Sequence, residues 1–162
     1  MIHVWILNIF LWPIIHVVIS KIALKRNLKN FNPNSALFSQ KRWENNGELY
    51  RQVTQVHRWK GILPDGAAWL GSSFSKKKIA SRDSSYLELF ILETCRGEWA
   101  HWITFACAPV FALWNPPWAI AVMFSYAALA NLPCIIAQRY NRIKLMRVLS
   151  KTKTKFSANF SI

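Results

Sequence analysis

Apolar residues are concentrated in two regions of the chain, and a polar, basic region separates them. Residues 2–20, IHVWILNIFLWPIIHVVIS, contain no Lys, Arg, Asp or Glu, and a helix needs about 20 such residues to cross a bilayer. Nothing basic precedes this run and KIALKRNLK follows it, whereas a secretory signal has its basic stretch first. The pattern predicts an uncleaved transmembrane anchor at residues 1–20.

Residues 21–84 are polar and basic. Asn, Ser and Pro in KNFNPNSALFSQ and lysines in SSFSKKKIASRDSS are typical of loops. Between them, RWENNGELYRQVTQVHRWKGILPDGAAW mixes aromatic and charged residues without clean helical or strand periodicity. Because Trp and Tyr favour the headgroup level of a membrane, we expect this segment to be cytoplasmic and to lie on the bilayer.

The second apolar region predicts a helical hairpin. Residues 85–114 form one long predicted helix, amphipathic at first and transmembrane afterwards. The 29 residues from Tyr86 to Trp114 would span about 43 Å, which is longer than the hydrocarbon alone requires. NPP at residues 115–117 breaks this helix, and a further transmembrane helix follows at residues 118–138.

The basic residues predict the orientation. There are 13 Lys and Arg in residues 21–82 and seven in residues 139–155, but none before residue 21 and none in residues 97–138. By the positive-inside rule the N-terminus is outside, and the middle segment and the basic tail at residues 139–162 are cytoplasmic. The predicted fold is an all-α, multi-pass integral protein of the cell membrane with about three transmembrane helices, the anchor and the hairpin.

Composition agrees with a membrane protein and argues against two other classes. The 162 residues are 52% apolar and include nine Trp. The formal net charge of +14 comes from two basic blocks that flank apolar runs, without a nucleic-acid-binding signature, so we expect the bilayer and not nucleic acid as the partner. Three Cys without regular spacing predict neither a disulfide framework nor a zinc site.

The candidate chemistry lies in ETCRGEWAHW, at the start of the apolar part of the long helix. Glu93 and Arg96 are three residues apart, as are Glu98 and His101, so each pair meets on a helix. Glu98 beside His101 is an arrangement that fixes the tautomer of a general base. A structural ion cluster is the alternative. A dinuclear metal centre needs a second Glu-x-x-His motif, which the chain lacks, so no metal is expected.

Two other stretches carry candidate residues. RWKGILPDG places Asp65 in a tight turn, from which it could cap a helix or reach into a site. NLPCIIAQRYNR places Asn131 near Pro133 and then presents Arg139 and Arg142 three residues apart. These arginines could be headgroup anchors, ligands for the phosphates of a coenzyme, or simply positive-inside residues.

Taken together and in this order, these motifs resemble the glycosyl-4,4'-diaponeurosporenoate acyltransferase family of staphyloxanthin-type carotenoid biosynthesis. The resemblance runs from about Trp43 to Leu149. Its most specific positions are Glu93, Thr94, Arg96, Glu98, His101, Trp102, Asn131, Pro133, Gln138, Arg139, Tyr140, Asn141 and Arg142.

The resemblance implies a membrane O-acyltransferase that moves a fatty acyl group from acyl-CoA, as co-substrate without another cofactor, to a sugar hydroxyl of a glycosylated C30 carotenoid acid. A related lipid-linked glycoside is a second possible acceptor. A non-catalytic scaffold or partner subunit of a lipid-modifying complex is the alternative function. Association with further copies of the chain or with pathway enzymes is open.

For this reaction we expect His101 to act as general base with Glu98 orienting it, and Arg96, held by Glu93, or Asn131 to stabilise the oxyanion. Arg139 and Arg142 would contact phosphates of coenzyme A. The remaining substrate-binding candidates are Asp65, Trp102, Tyr140 and Asn141.

Overall fold

The structure, a computed structural model, describes residues 2–63, 81 and 83–159, with side chains for residues 3–63, 81 and 83–154. Over these residues the chain is all-helical, as predicted. The α-helices are α1 (Ile2–Lys25), α2 (Glu48–Gln52), α3 (Val56–Trp59), α4 (Ser84–Ala106) and α5 (Pro117–Asn159). Short 3-10 helices lie at Leu28–Asn30, Arg42–Gly47, Lys60–Ile62 and Ala108–Leu113.

Two of the described helices, α1 and α5, are long and apolar enough to cross a membrane, over His3–Lys25 and Pro117–Thr154. Most of their apolar surface faces outward, as in Phe10, which is 66% exposed, and Leu129, which is 77% exposed. Such contiguous apolar surface is unfavourable in water and suits lipid. The two helices therefore indicate association with a membrane. The predicted third crossing, by the 85–114 region, stays a prediction.

The helix that we predicted to continue to Trp114 ends at Ala106 instead. Pro109 explains the difference, because proline has no N–H for the helical ladder and restricts the residue before it. The chain tightens there into the 3-10 helix Ala108–Leu113. The predicted break at NPP is confirmed, and α5 begins at Pro117, since proline fits the first turn of a helix.

At its other end α5 is longer than predicted. The sequence suggested a span ending at residue 138 and a separate basic tail, but α5 continues through Pro133 to Asn159. Leu145 is buried beside Leu87 of α4, and this packing supports the helix beyond the apolar part. With 43 residues α5 is about 64 Å long, about twice the thickness of the hydrocarbon, so its basic half extends past that layer.

Helix α1 packs on the turn between α4 and α5. The amide of Asn8 is buried there, where it donates to Asn115 Oδ1 over 2.8 Å and accepts from Trp114 Nε1 over 2.8 Å. One helical turn further on, the Trp12 ring stacks on Phe111 with 4.6 Å between the ring centroids. A polar contact and an aromatic stack therefore fix α1 against the hairpin.

The segment between α1 and α4 is more structured than predicted. Its described part folds into short helices and turns that pack on α5, where Tyr50 and Val56 are buried with Tyr140 and Ile143. The chain reverses at Gly47, whose φ of 86° is in the left-handed region that glycine adopts without steric cost. This packing places the segment against the basic half of α5.

Candidate active site

A buried carboxylate, Glu98, joins α4 to α5. Its Oε1 accepts from Arg139 Nη1 over 2.8 Å and its Oε2 accepts from Arg142 Nη2 over 2.5 Å. Trp102 Nε1 also donates to Oε1, over 3.2 Å. The carboxylate is fully buried, so these charge-assisted hydrogen bonds replace the water that an ionised carboxyl group would otherwise require.

Arg139 extends the network to a second carboxylate, Glu44, on the segment between α1 and α4. Arg139 Nε donates to Glu44 Oε1 over 2.8 Å. Burial alone would raise the pKa of the Glu44 carboxyl, but hydrogen bonds from Arg139, the Lys41 backbone N–H and the Tyr50 hydroxyl outweigh burial and hold that pKa below its usual value. Glu44 is therefore charged in the folded protein.

Backbone carbonyls complete the network. Arg142 Nε donates to the Phe38 carbonyl over 3.0 Å, and Arg139 donates to the carbonyls of Leu37 over 2.9 Å and Ser39 over 3.2 Å. The two guanidinium groups and the two carboxylates balance to zero net charge. We call these four residues, Glu44, Glu98, Arg139 and Arg142, the ion cluster.

The predicted pair of Glu93 and Arg96 is confirmed. Arg96 Nη2 lies 2.7 Å from Glu93 Oε1, and both side chains are buried. The predicted pairing of Glu98 with His101 is wrong, because the oxygens of Glu98 are taken by the two arginines and Trp102.

The imidazole of His101 pairs with α5 instead. His101 Nδ1 lies 3.0 Å from Asn131 Oδ1, and Asn131 Nδ2 donates to the Ala127 carbonyl over 2.9 Å. Because the Asn131 amide nitrogen is turned to that carbonyl, its oxygen faces the ring, so His101 Nδ1 is the donor in this contact.

This pair lies further into the apolar half of α5 than the ion cluster does. Asn131 precedes Arg139 by eight residues, about 12 Å along α5. The side chain of His101 is half-buried, whereas that of Asn131 is fully buried. The sequence predicted that His101 lies at the end of a membrane span. In the structure it lies beside the apolar half of α5, about two helical turns before the basic residues of that helix begin.

The other predicted site residues have separate surroundings. Tyr140 is buried with Tyr50 and Val56. Asn141 Oδ1 accepts a hydrogen bond from Lys60 Nζ. Asp65 lies outside the described residues.

Cys95 is fully buried, where it packs with Phe31 and Phe38. A thiol that is out of reach of a substrate is poorly placed to act as a nucleophile.

Sequence reasoning missed Glu44, because its partner Arg139 is 95 residues away. One signal was available: the chain has only seven acidic residues against 21 basic ones, so each acid inside an aromatic-rich segment is a candidate partner for a buried arginine.

The chain is similar to known proteins over most of its length. A family model described as glycosyl-4,4'-diaponeurosporenoate acyltransferase matches residues 33–151, which include the ion cluster, His101 and Asn131. A glycosyl-4,4'-diaponeurosporenoate acyltransferase of Staphylococcus haemolyticus (strain JCSC1435) is 28% identical over 134 residues, which is 83% of this chain and 78% of the relative. One of the same name from Staphylococcus aureus (strain Newman) is 28% identical over 144 residues, 89% of this chain and 87% of the relative. No solved structure matches.

Replacing Glu98 should destabilise the fold strongly. In Glu98→Gln both buried arginines lose a charged partner, and removing one member of a buried ion network costs about 3 kcal/mol of unfolding free energy. The matched control is Glu88→Gln, which breaks the exposed Glu88–Lys153 ion pair between the same two helices. That change should cost less than about 1 kcal/mol. Unfolding in detergent micelles measures both, and equal losses would contradict the role given to the ion cluster.

Proposed function

This chain belongs to the glycosyl-4,4'-diaponeurosporenoate acyltransferase family, and from that premise we propose that it transfers a fatty acyl group from acyl-CoA to a sugar hydroxyl of a glycosylated C30 carotenoid acid. The product is an O-acyl ester of the staphyloxanthin type. The observation that supports the proposal is the contact between His101 Nδ1 and Asn131 Oδ1, which fixes the orientation of the imidazole ring beside α5.

In the proposed reaction, Nε2 of His101 accepts the proton of the sugar hydroxyl as its oxygen attacks the thioester carbonyl. The carbon–oxygen bond forms first and gives a tetrahedral intermediate. The carbon–sulfur bond then breaks, and the departing sulfur of coenzyme A takes the proton from the imidazolium. The ester and free coenzyme A result, and the imidazole returns to its starting state.

Transfer is proposed to be direct from donor to acceptor. The full burial of Cys95 argues against an acyl-enzyme at that residue. Asn131 orients the base in this mechanism, since its oxygen contacts the ring and one of its two amide hydrogens is held by the Ala127 carbonyl. Arg139 and Arg142 hold α4 to α5 through Glu98 and are therefore not our proposed ligands for coenzyme A.

The position of His101 beside the apolar half of α5 suits two substrates that each carry a long apolar chain. A fatty acyl chain and a C30 polyene both lie in hydrocarbon, and their polar ends meet near its boundary. The proposed base lies about two helical turns from the basic part of α5, toward the apolar half of that helix. At this position it is within reach of a sugar held just below the headgroups. Holding both substrates there makes the reaction effectively unimolecular.

We expect His101→Gln to lose acyl transfer by at least a hundredfold while the protein remains folded, because a general base contributes about a hundredfold or more to such a rate. The assay is coenzyme A release with and without a glycosylated carotenoid, together with mass spectrometry of the ester. His57→Gln, at an exposed histidine, is the matched control and should keep wild-type activity. Full activity of His101→Gln would overturn the assignment, and a wild-type protein without transfer would favour a scaffold.

Two substitutions at Asn131 separate a positioning role from an oxyanion role. Asn131→Leu removes the acceptor for His101 Nδ1 and should lower kcat about tenfold or more, with KM nearly unchanged. Asn131→Asp keeps an acceptor oxygen but has no N–H group, so it should retain most of the rate. If Asp were as damaging as Leu, Asn131 would act as a donor and the positioning role would be wrong.

We propose that the chain crosses the membrane three times, with its N-terminus outside and its C-terminus cytoplasmic. The basic half of α5 supports this orientation. In a variant without its three native cysteines, an impermeant maleimide should label Leu113→Cys, a position that is 81% exposed, only from outside. It should label Ser150→Cys, also exposed, only from the cytoplasmic side. The reverse pattern would contradict the orientation.

A further inference from the structure

Two lysines share one aromatic ring on the side of α5 that faces the short helices. Lys60 Nζ lies 5.2 Å and Lys144 Nζ lies 4.8 Å from the ring centroid of Tyr140, which is itself buried. The two ammonium groups come from different parts of the chain, the 3-10 helix Lys60–Ile62 and α5. We call them the lysine pair.

Within the described side chains no carboxylate is bound to the lysine pair, although Glu48 is close enough to Lys144 for their charges to attract. Among the residues with described side chains, neither lysine forms an ion pair, and the partner of Lys60 is the neutral amide oxygen of Asn141. Burial, and then the charge of Lys144, lower the pKa of Lys60. The nearby acid Glu48 is bound to Arg51 over 2.6 Å. An external anion would relieve this repulsion.

The lysine pair also lies at a suitable distance from the proposed base. Asn141, which binds Lys60, follows Asn131 by ten residues, about 15 Å along α5 and roughly a quarter turn around it. Lys144 follows Asn131 by 13 residues, about 20 Å along α5 and more than a third of a turn around it. A pantetheine arm has about 13 bonds from its sulfur to the first phosphorus and is about 15 Å long when extended. The long lysine side chains cover the remaining distance.

A buried acceptor without a partner lies along that path. Gln138 Oε1 is buried and has no hydrogen-bond partner in the described part of the chain. It follows Asn131 by seven residues, about 10 Å and nearly on the same face of α5. Unpartnered buried oxygens are rare, and the amide N–H groups of a pantetheine arm could satisfy this one.

We propose that Lys60 and Lys144 bind the diphosphate of the acyl-CoA donor, with Gln138 accepting from its pantetheine arm. This inference rests on the proposed function, because it assumes a coenzyme A thioester. It assigns phosphate binding to the two lysines and not to Arg139 and Arg142, because both guanidinium groups already bind carboxylates of the ion cluster and backbone carbonyls. Arg142 Nη1 is the one of these donors that is buried without a hydrogen-bond partner in the described part of the chain.

The test compares a donor that has phosphates with one that lacks them. In the double variant Lys60→Gln and Lys144→Gln, KM for acyl-CoA should rise about tenfold or more, since each lost charge-assisted contact is worth up to about tenfold in binding. The kcat value and KM for the matching acyl-pantetheine should not change. The control, Lys151→Gln with Lys153→Gln, removes the same charge from exposed positions of α5 and should alter neither KM.

Direct binding keeps this inference separate from the proposed function. Calorimetry with coenzyme A on the wild-type protein in nanodiscs should give a Kd that the Lys60 and Lys144 double variant weakens about tenfold, whether or not the protein transfers acyl groups. Equal effects on both donors, or an unchanged Kd for coenzyme A, would overturn the inference. Loss of phosphatidylglycerol retention in the double variant, with KM for acyl-CoA unchanged, would assign the lysine pair to a lipid headgroup and would also overturn it.

Discussion

Two carboxylates and two guanidinium groups buried together impose the main constraint on this structure. Burying any one of these four charged groups without its partners is strongly unfavourable in free energy, so all four must be buried together. Glu98 belongs to α4, the two arginines to α5, and Glu44 to the segment that follows α1. The cluster therefore makes three distant parts of the chain interdependent where simple apolar packing would permit sliding.

This constraint also sets the geometry of the proposed reaction site. On α4, His101 follows Glu98 by three residues, and on α5, Asn131 precedes the two arginines by eight and eleven residues. Once the ion cluster fixes the register of these antiparallel helices, His101 and Asn131 meet one or two turns away. The lysine pair is held on the opposite side of the cluster by Tyr140. The cluster thus separates an apolar end, suited to acyl chains, from a cationic end suited to phosphates.

The sequence predicted what depends on local pattern and missed what depends on distant partners. The all-helical fold, the break at NPP and the contact of Glu93 with Arg96 follow from periodicity, proline chemistry and a three-residue spacing. Glu98 was predicted to pair with His101 because the two residues have the same three-residue spacing as Glu93 and Arg96. Its actual partners are two arginines of α5, 41 and 44 residues away. Two guanidinium groups neutralise a buried carboxylate, whereas a neutral imidazole does not. The last helix was predicted to end at residue 138, but packing of Leu145 against α4 carries α5 onward.

The contact between Asn8 and Asn115 has a consequence for biosynthesis. The two residues are 107 positions apart, so at about 5–20 residues per second the ribosome makes Asn115 roughly 5–20 s after Asn8. If α1 enters the bilayer as it emerges, its amide waits in lipid without its final partners for that time. The hydrogen bonds of this amide form only after the turn between α4 and α5 has been made, so α1 joins the hairpin as a late step.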